Sequence, residues 1–458
     1  MLEGAPSITP GPIPVEFPLA PMPALSKHLT DEEKSFAHRR LCEMVVMGVM
    51  TQNLQVMTDT SLFTAAVDGD SARAGALLAA TSSAGGLIEF VCNPVIGRMT
   101  DDYGRKWVYY IGPLVSGIGM SIAVLLTQGK SLPVLLLHKA ACWSLISMSL
   151  SFIGPVTISD MYSGQELGIR TVKMFGSIGL GVIVAPALGA LIMQRTGERG
   201  PMNVFKLRLV FAALQLLYVH RFIPETLLAE RRRPFSISDV NPFSFVRLFQ
   251  KSHTLRVLAA ALFFNCCVEG KNIVPLLQTW MNGYPLRWPL STQSRATVLY
   301  GAMAYMSGMH LAPKLIRLLG PRRFTSITNT LNTAAFACMG STFPSFDVAH
   351  WVGLLIHGPG VNNTSAAALK GAATEHAIAN GIARGEYGGM YSSMRTLSMI
   401  LAPPLFGWAY KTGVPRSMGG RGIPWLPWLI MAFVGGALPE VLHRSLTDDD
   451  LKVPQASQ

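Results

Sequence analysis

The chain has 458 residues, of which 50% are apolar and only 14% charged, and its mean hydropathy is +0.35. Soluble chains carry about 25% charged residues, so a soluble protein of this size would lack the charge to coat its own surface. The composition also excludes a disordered chain, a collagen and a disulfide-stapled secreted domain. What remains is a multi-pass membrane protein whose solvent is the lipid bilayer.

The net charge of +12 comes from 38 Lys and Arg against 26 Asp and Glu. These charges stand in short bursts between apolar runs, as topology-setting charge does, and not on a basic face with interleaved stacking groups. No nucleic-acid partner is expected. The six cysteines (Cys42, Cys92, Cys142, Cys266, Cys267 and Cys338) are scattered without ligand spacing. They read as small buried apolar side chains, with no metal site and no disulfide expected.

Residues 1–23 hold seven prolines and no Lys or Arg, so no secretory signal or transit peptide is expected there. Residues 1–38 read as a disordered, proline-rich cytoplasmic tail. Crossing about 30 Å of hydrocarbon takes roughly 20 apolar residues per helix. The pattern predicts twelve such spans, at 41–63, 75–96, 107–127, 132–158, 174–193 and 205–223, then 255–280, 296–316, 324–343, 349–369, 387–410 and 424–442. The first is weakened by Gln52, Asn53 and Gln55, and the sixth opens beside Lys206 and Arg208.

Placing both termini in the cytoplasm assigns 24 Lys and Arg to the inner side and 11 to the outer, with Lys139, Lys271 and Arg395 inside helices. The expected organisation is a six-helix bundle over 39–224, a cytoplasmic loop over 225–254, a second bundle over 255–443 and a tail over 444–458. The halves resemble each other. Ala185-Pro186-Ala187-Leu188 has a counterpart in Ala402-Pro403-Pro404-Leu405, offset by 217, and Gly104 with Lys106 has one in Gly320 with Arg322, offset by 216. Such duplication recurs among secondary transporters.

The loop expected after the second span carries Gly97, Asp101, Gly104, Arg105 and Lys106 in the order G-x-x-x-D-x-x-G-R-K. Glycines permit close helix approach and a tight turn, the acid can cap a helix or pair with a guanidinium, and the cations hold the loop at an anionic leaflet. This pattern resembles the conserved loop of the major facilitator superfamily. Further stretches resemble its drug/proton antiporter branch, which includes tetracycline-resistance-like carriers. Phe90 and Pro94 precede Gly97, Ile223-Pro224-Glu225-Thr226-Leu227 closes the sixth span, and Asn241-Pro242-Phe243 opens the central loop. Residues 181–190, with Gly181, Pro186 and Gly189, resemble that branch's antiporter motif, although Ala185 and Ala190 replace two of its glycines. The resemblance implies an all-α membrane fold of twelve helices in two pseudo-symmetric bundles, alternating access, and a proton gradient as the driving force.

Charges within the spans are the candidate cavity groups, because a charge at mid-membrane costs about 2.5–3.5 kcal/mol on insertion scales. Glu89 is read either as a gating ion pair, with Arg98 or Arg395, or as a proton carrier. Lys139, beside His138, either faces the cavity or snorkels outward. Glu269 and Lys271, two apart, point to different faces, and Gly270 with Pro275 predicts that the seventh span unwinds there. His310 and His357 are titratable near neutral pH, and Asn362 with Asn363 follows Gly358-Pro359-Gly360 in an irregular tenth span. Asp160 is expected to cap a helix or pair with Arg170.

Gly129-Lys130-Ser131 lacks the upstream glycine of a phosphate-binding loop, so no nucleotide partner is expected, and no cofactor, zinc pattern or nucleophile elbow marks an enzyme. The expected function is proton-coupled antiport of a small organic solute. The alternatives are uniport or symport of a polar or anionic metabolite, and a non-transporting receptor or scaffold on a carrier fold.

Overall fold

The computed structural model describes residues 29–450 apart from 70, 233, 236–240, 358–361, 419 and 448–449. The proline-rich stretch and Gly358-Pro359-Gly360 therefore lie outside the described residues. Grouped across their breaks, the helices among the described residues form twelve rods. The first six are α1 (Asp31–Asn53, resuming as Val56–Ala66), α2 (Ser71–Tyr103), α3 (Val108–Leu126), α4 (132–161), α5 (Gly164–Thr196) and α6 (Gly200–Phe222). The second six are α7 (His253–Cys267, resuming as Gly270–Asn282), α8 (290–319), α9 (321–339), α10 (Phe346–His357, resuming as Asn362–Ala379), α11 (Arg384–Gly413) and α12 (Leu426–Arg444).

Most rods outrun their predicted spans. Polar residues at their ends are paid for locally, as at α1, where Thr30 Oγ1 accepts from Glu33 N (3.3 Å) and the Glu33 carboxylate accepts from Thr30 N (2.8 Å). That capping box starts α1 ten residues before the expected span. The first span, weakened by its three amides, breaks at Leu54–Gln55, and the seventh breaks at Val268–Glu269, six residues before Pro275. Wide π-type turns interrupt α3, α4, α8 and α12.

Two expectations about loops need correction. Gly97 and Asp101 stand on α2 itself, because the helix continues until Gly104 turns it at φ +102°. Likewise α8 and α9 are joined not by a loop but by a kink at Gly320, with φ +75°. The two glycines matched in the sequence thus share a left-handed backbone that side chains with a Cβ rarely adopt.

Each half has its own core. Leu41, Val45, Tyr109, Phe152 and Val219 pack in the first, and Trp280, Phe336, Phe406 and Trp428 in the second. Leu126, Leu137, Leu217 and Val441 are exposed on the outside, where a lipid solvent takes the place of water. The halves meet where α2 lies along α11 and where α5 lies along α8 and α10. Small residues set the spacing. A Cβ on Gly97 would come within 2.8 Å of the Gly385 carbonyl, and one on Gly176 within 2.7 Å of the Gly308 backbone.

Candidate functional site

At the end of the molecule that carries the glycine–acid–basic motif, the seam is closed by buried charge. The two Asp101 oxygens accept from the backbone N–H groups of Gly385 and Glu386 (3.1 Å each), so an acid on α2 caps the first turn of α11 across the seam. Arg105 donates to Asp101 (2.9 Å), Thr100 (3.0 Å) and Asp160 (3.0 Å) while only 1% exposed. Asp160 therefore pairs with Arg105 and not with Arg170, which is held by Glu166 (2.7 Å) on its own helix. The turn that places Arg105 is itself held. Glu225 accepts from the backbone N–H groups of Arg105 and Lys106, and its carboxylate fills the space a side chain at Gly104 would need.

Around this centre, Lys106 donates to the His220 carbonyl (3.0 Å), Arg98 lies 4.0 Å from Glu386, and Arg247 pairs with Glu386 at 2.6 Å. Along the second contact line, Gln165 donates to the Ile316 carbonyl (2.6 Å) and Arg317 reaches Glu166 (3.5 Å). Deeper on the first line, Asn93 donates to the Ser392 hydroxyl at 2.7 Å.

Further into the seam, Arg395 of α11 makes a two-pronged bridge to Glu269, at 2.5 and 3.0 Å, where α7 breaks. Glu89 of α2, buried at 1% exposure, acts on the same guanidinium from the other half. The sequence offered Arg98 and Arg395 as its partners, and Arg395 lies within its electrostatic reach. Lys370 of α10 sits one residue beyond its expected span, yet it is buried, with its ammonium 4.0 Å from the Tyr391 ring centroid. Arg395 and Glu269 are within its electrostatic reach, and no carboxylate pairs with it among the described residues.

Lys139 neither snorkels nor stands open to a cavity. It pairs at 2.7 Å with Asp59, on the second segment of α1, and His138 lies 3.8 Å from the same acid. The break in α1 turns that segment so that Asp59 reaches α4. Arg208, read as the mouth of the sixth span, is two turns inside α6 and fully buried. It donates to the Thr51 carbonyl (3.0 Å), Ser121 (2.8 Å), Ser116 (3.1 Å) and the Cys142 sulfur (3.0 Å). Asp59 stands inside the first predicted span and Arg208 inside the sixth, which is the signal that could have found them, although Arg208 is counted with the outer-side charges.

The remaining candidates are dispersed. His310 is exposed, edge-on to Tyr305, whereas His357 is buried between Tyr300 and Phe336. Lys271 and Asn362 begin helical segments, but their side chains lie outside the described ones. On α5, Gly181 faces Val49 and Gly189 faces the Leu54 carbonyl at the break in α1, with Pro186 between them in the helix. The antiporter-like motif thus packs α5 on α1.

The family model of the Major Facilitator Superfamily matches residues 44–403. The chain belongs to that superfamily. Its members are integral multi-pass membrane proteins, and they are transporters, not enzymes. The chain is 24% identical over 228 residues to the class C tetracycline resistance protein of Escherichia coli, covering 48% of this chain and 54% of that one. It is 29% identical over 154 residues to human major facilitator superfamily domain-containing protein 10, covering 33% and 31%. The matches thus span about half of the first relative and a third of the second. Among solved structures, the human organic anion transporter MFSD10 (TETRAN) superposes with a TM-score of 0.69 at 17% identity, covering 89% of this chain and 99% of that one. The proton:xylose symporter XylE gives 0.65 at 13%, covering 90% and 96%. At these identities the likeness establishes the shared fold.

Proposed function

We propose that this chain is a secondary carrier that moves a small organic solute by rocking its two halves about the seam, exchanging it for protons. The observation that supports this reading is the Glu269–Arg395 bridge, whose guanidinium is buried, with Glu89 of the opposite half within electrostatic reach of it. Glu269 and Arg395 both belong to the second half, so a proton on Glu269 frees the guanidinium for Glu89 of the first half. That exchange couples proton binding to the meeting and parting of the halves. Asp101 on the α11 N-terminus supplies the gate, which is closed at the motif end in this conformation. We place both termini on the cytoplasmic side, with the six-helix units at 39–224 and 255–443 and the loop at 225–254 between them.

A second reading concerns the solute. Lys370, buried over Tyr391 without a carboxylate partner among the described residues, favours an anionic solute. The relative called an organic anion transporter points the same way. Reconstitution in liposomes with an imposed pH gradient tests the coupling. Flux of a panel of organic anions and neutral amphiphiles should follow the gradient in the native chain and become indifferent to it in Glu269→Gln. Flux that ignores the gradient in both would remove proton coupling from the account.

A further inference from the structure

A cleft opens at the motif end, outside the carrier's central seam charges. Its open volume is about 610 Å³ including the mouth to solvent, and its lining comes from both halves and the loop between them. Arg384 contributes from the start of α11, Arg231 from the central loop, Lys34 from α1, and Tyr162 and Ser163 from the turn between α4 and α5. The one carboxylate in the lining, Asp160, is already committed to Arg105 and Thr226.

The two arginines are in a different position. Neither guanidinium makes a hydrogen bond or an ion pair among the described residues, and Arg384 Nε is buried without a partner. Burial pulls the Arg384 guanidinium below its ordinary value; Asp160 raises it and the neighbouring Arg231 adds to the fall. The buried Tyr162 hydroxyl also lacks a partner, and Ser163, which precedes the 33-residue α5, makes no side-chain capping bond. Arg231 is exposed to solvent and Arg384 half-buried, so the cost falls on the buried Arg384 Nε, a donor with no partner that an anion in the cleft would satisfy.

We propose that this cleft is a binding site for a phosphate group, held by Arg384 and Arg231 with donors from the α4–α5 turn. Guanidinium forks match phosphate oxygens two at a time, and a helix N-terminus adds favourable potential. Arg384 immediately precedes Gly385 and Glu386, whose amides Asp101 holds. A bound phosphate would therefore tie the first turn of α11 to the first half and favour the closed motif end. Glu269, Arg395 and Glu89 are not among the residues that line this cleft, so it regulates the carrier rather than carrying the solute.

The phosphate group can come from a soluble compound or from a lipid headgroup, and the experiment separates them. The full chain is purified in detergent and its thermal transition followed against inorganic pyrophosphate at constant ionic strength. In parallel it is placed in nanodiscs of phosphatidylcholine with or without phosphatidylinositol bisphosphate. A saturable upward shift with pyrophosphate supports a soluble ligand, and a shift confined to the phosphoinositide discs supports a headgroup. In either case the half-saturating concentration should rise at least about tenfold in Arg384→Gln, the loss expected for one charge-assisted hydrogen bond. Arg231→Gln, on the exposed loop, should do the same without disturbing the start of α11. No saturable shift with either probe, or a shift unchanged in both variants, overturns the proposal.

Discussion

Asp101 joins two structural roles in one carboxylate. It accepts the first amides of α11 from across the seam and also holds Arg105, which in turn holds Asp160. Asp101→Asn keeps an acceptor oxygen but removes the charge that favours the positive helix end, and it weakens the pull on Arg105. A charge-assisted bond is worth about 1.5–3 kcal/mol, so the closed motif end should lose population by about tenfold. Labelling of a cysteine introduced near the turn should accelerate to match, with membrane insertion unchanged. The buried pair Asp59–Lys139 makes a different prediction. Asp59→Ala should destabilise the first half by about 3–5 kcal/mol by stranding the ammonium, and adding Lys139→Met should recover most of the loss. Denaturation in detergent checks both. Lys139 was legible as an expensive charge but its partner was not, because the partner depends on how α1 turns after its break. Lys370 was hidden for a related reason: hydropathy ended the tenth span at 369, while the helix continues to Ala379 because packed neighbours, not lipid, surround it.

At the scale of helices, α5 serves three contacts. Gly181 and Gly189 bring it onto α1, Gly176 brings it onto α8, and its first turn carries Glu166 to Arg317 across the seam. The glycine pattern was readable in the sequence, but its partner helices were not. Glu166 gives this contact a pH dependence. Burial pushes its carboxyl up, while the bonds from Arg170 and Arg317 pull it down further, so it stays below its ordinary value of 4.5. A depressed carboxyl contributes stability that is present above that value and is lost as pH falls through the folded one. The α5–α8 end should therefore hold its rigidity from neutral pH down to about 4.5 and loosen below it. Spin-label mobility at the start of α5 measures this, and Glu166→Gln should flatten the profile. Where elements begin and end was read less well than which elements exist, because caps such as the Thr30–Glu33 box and turns such as Gly104 lie outside the apolar pattern that hydropathy reads.

For the whole molecule, the twelve spans and the repeat offset were legible because hydrocarbon thickness and duplication both leave long-range signals. What the sequence could not supply is the closure. The seam depends on residues hundreds of positions apart, Asp101 with Gly385 and Asn93 with Ser392, and no local spacing encodes such meetings. Alternating access requires the two halves to separate at the motif end during the transport cycle. Spin labels at Arg39, on exposed α1, and Leu318, on exposed α8, report that separation as a distance by pulsed electron resonance in reconstituted membranes. The expected result is two distances, the shorter one dominant in the native chain and the longer one gaining in Asp101→Asn. A single distance, unchanged by that substitution and by solute or pH, would contradict alternating access in this protein.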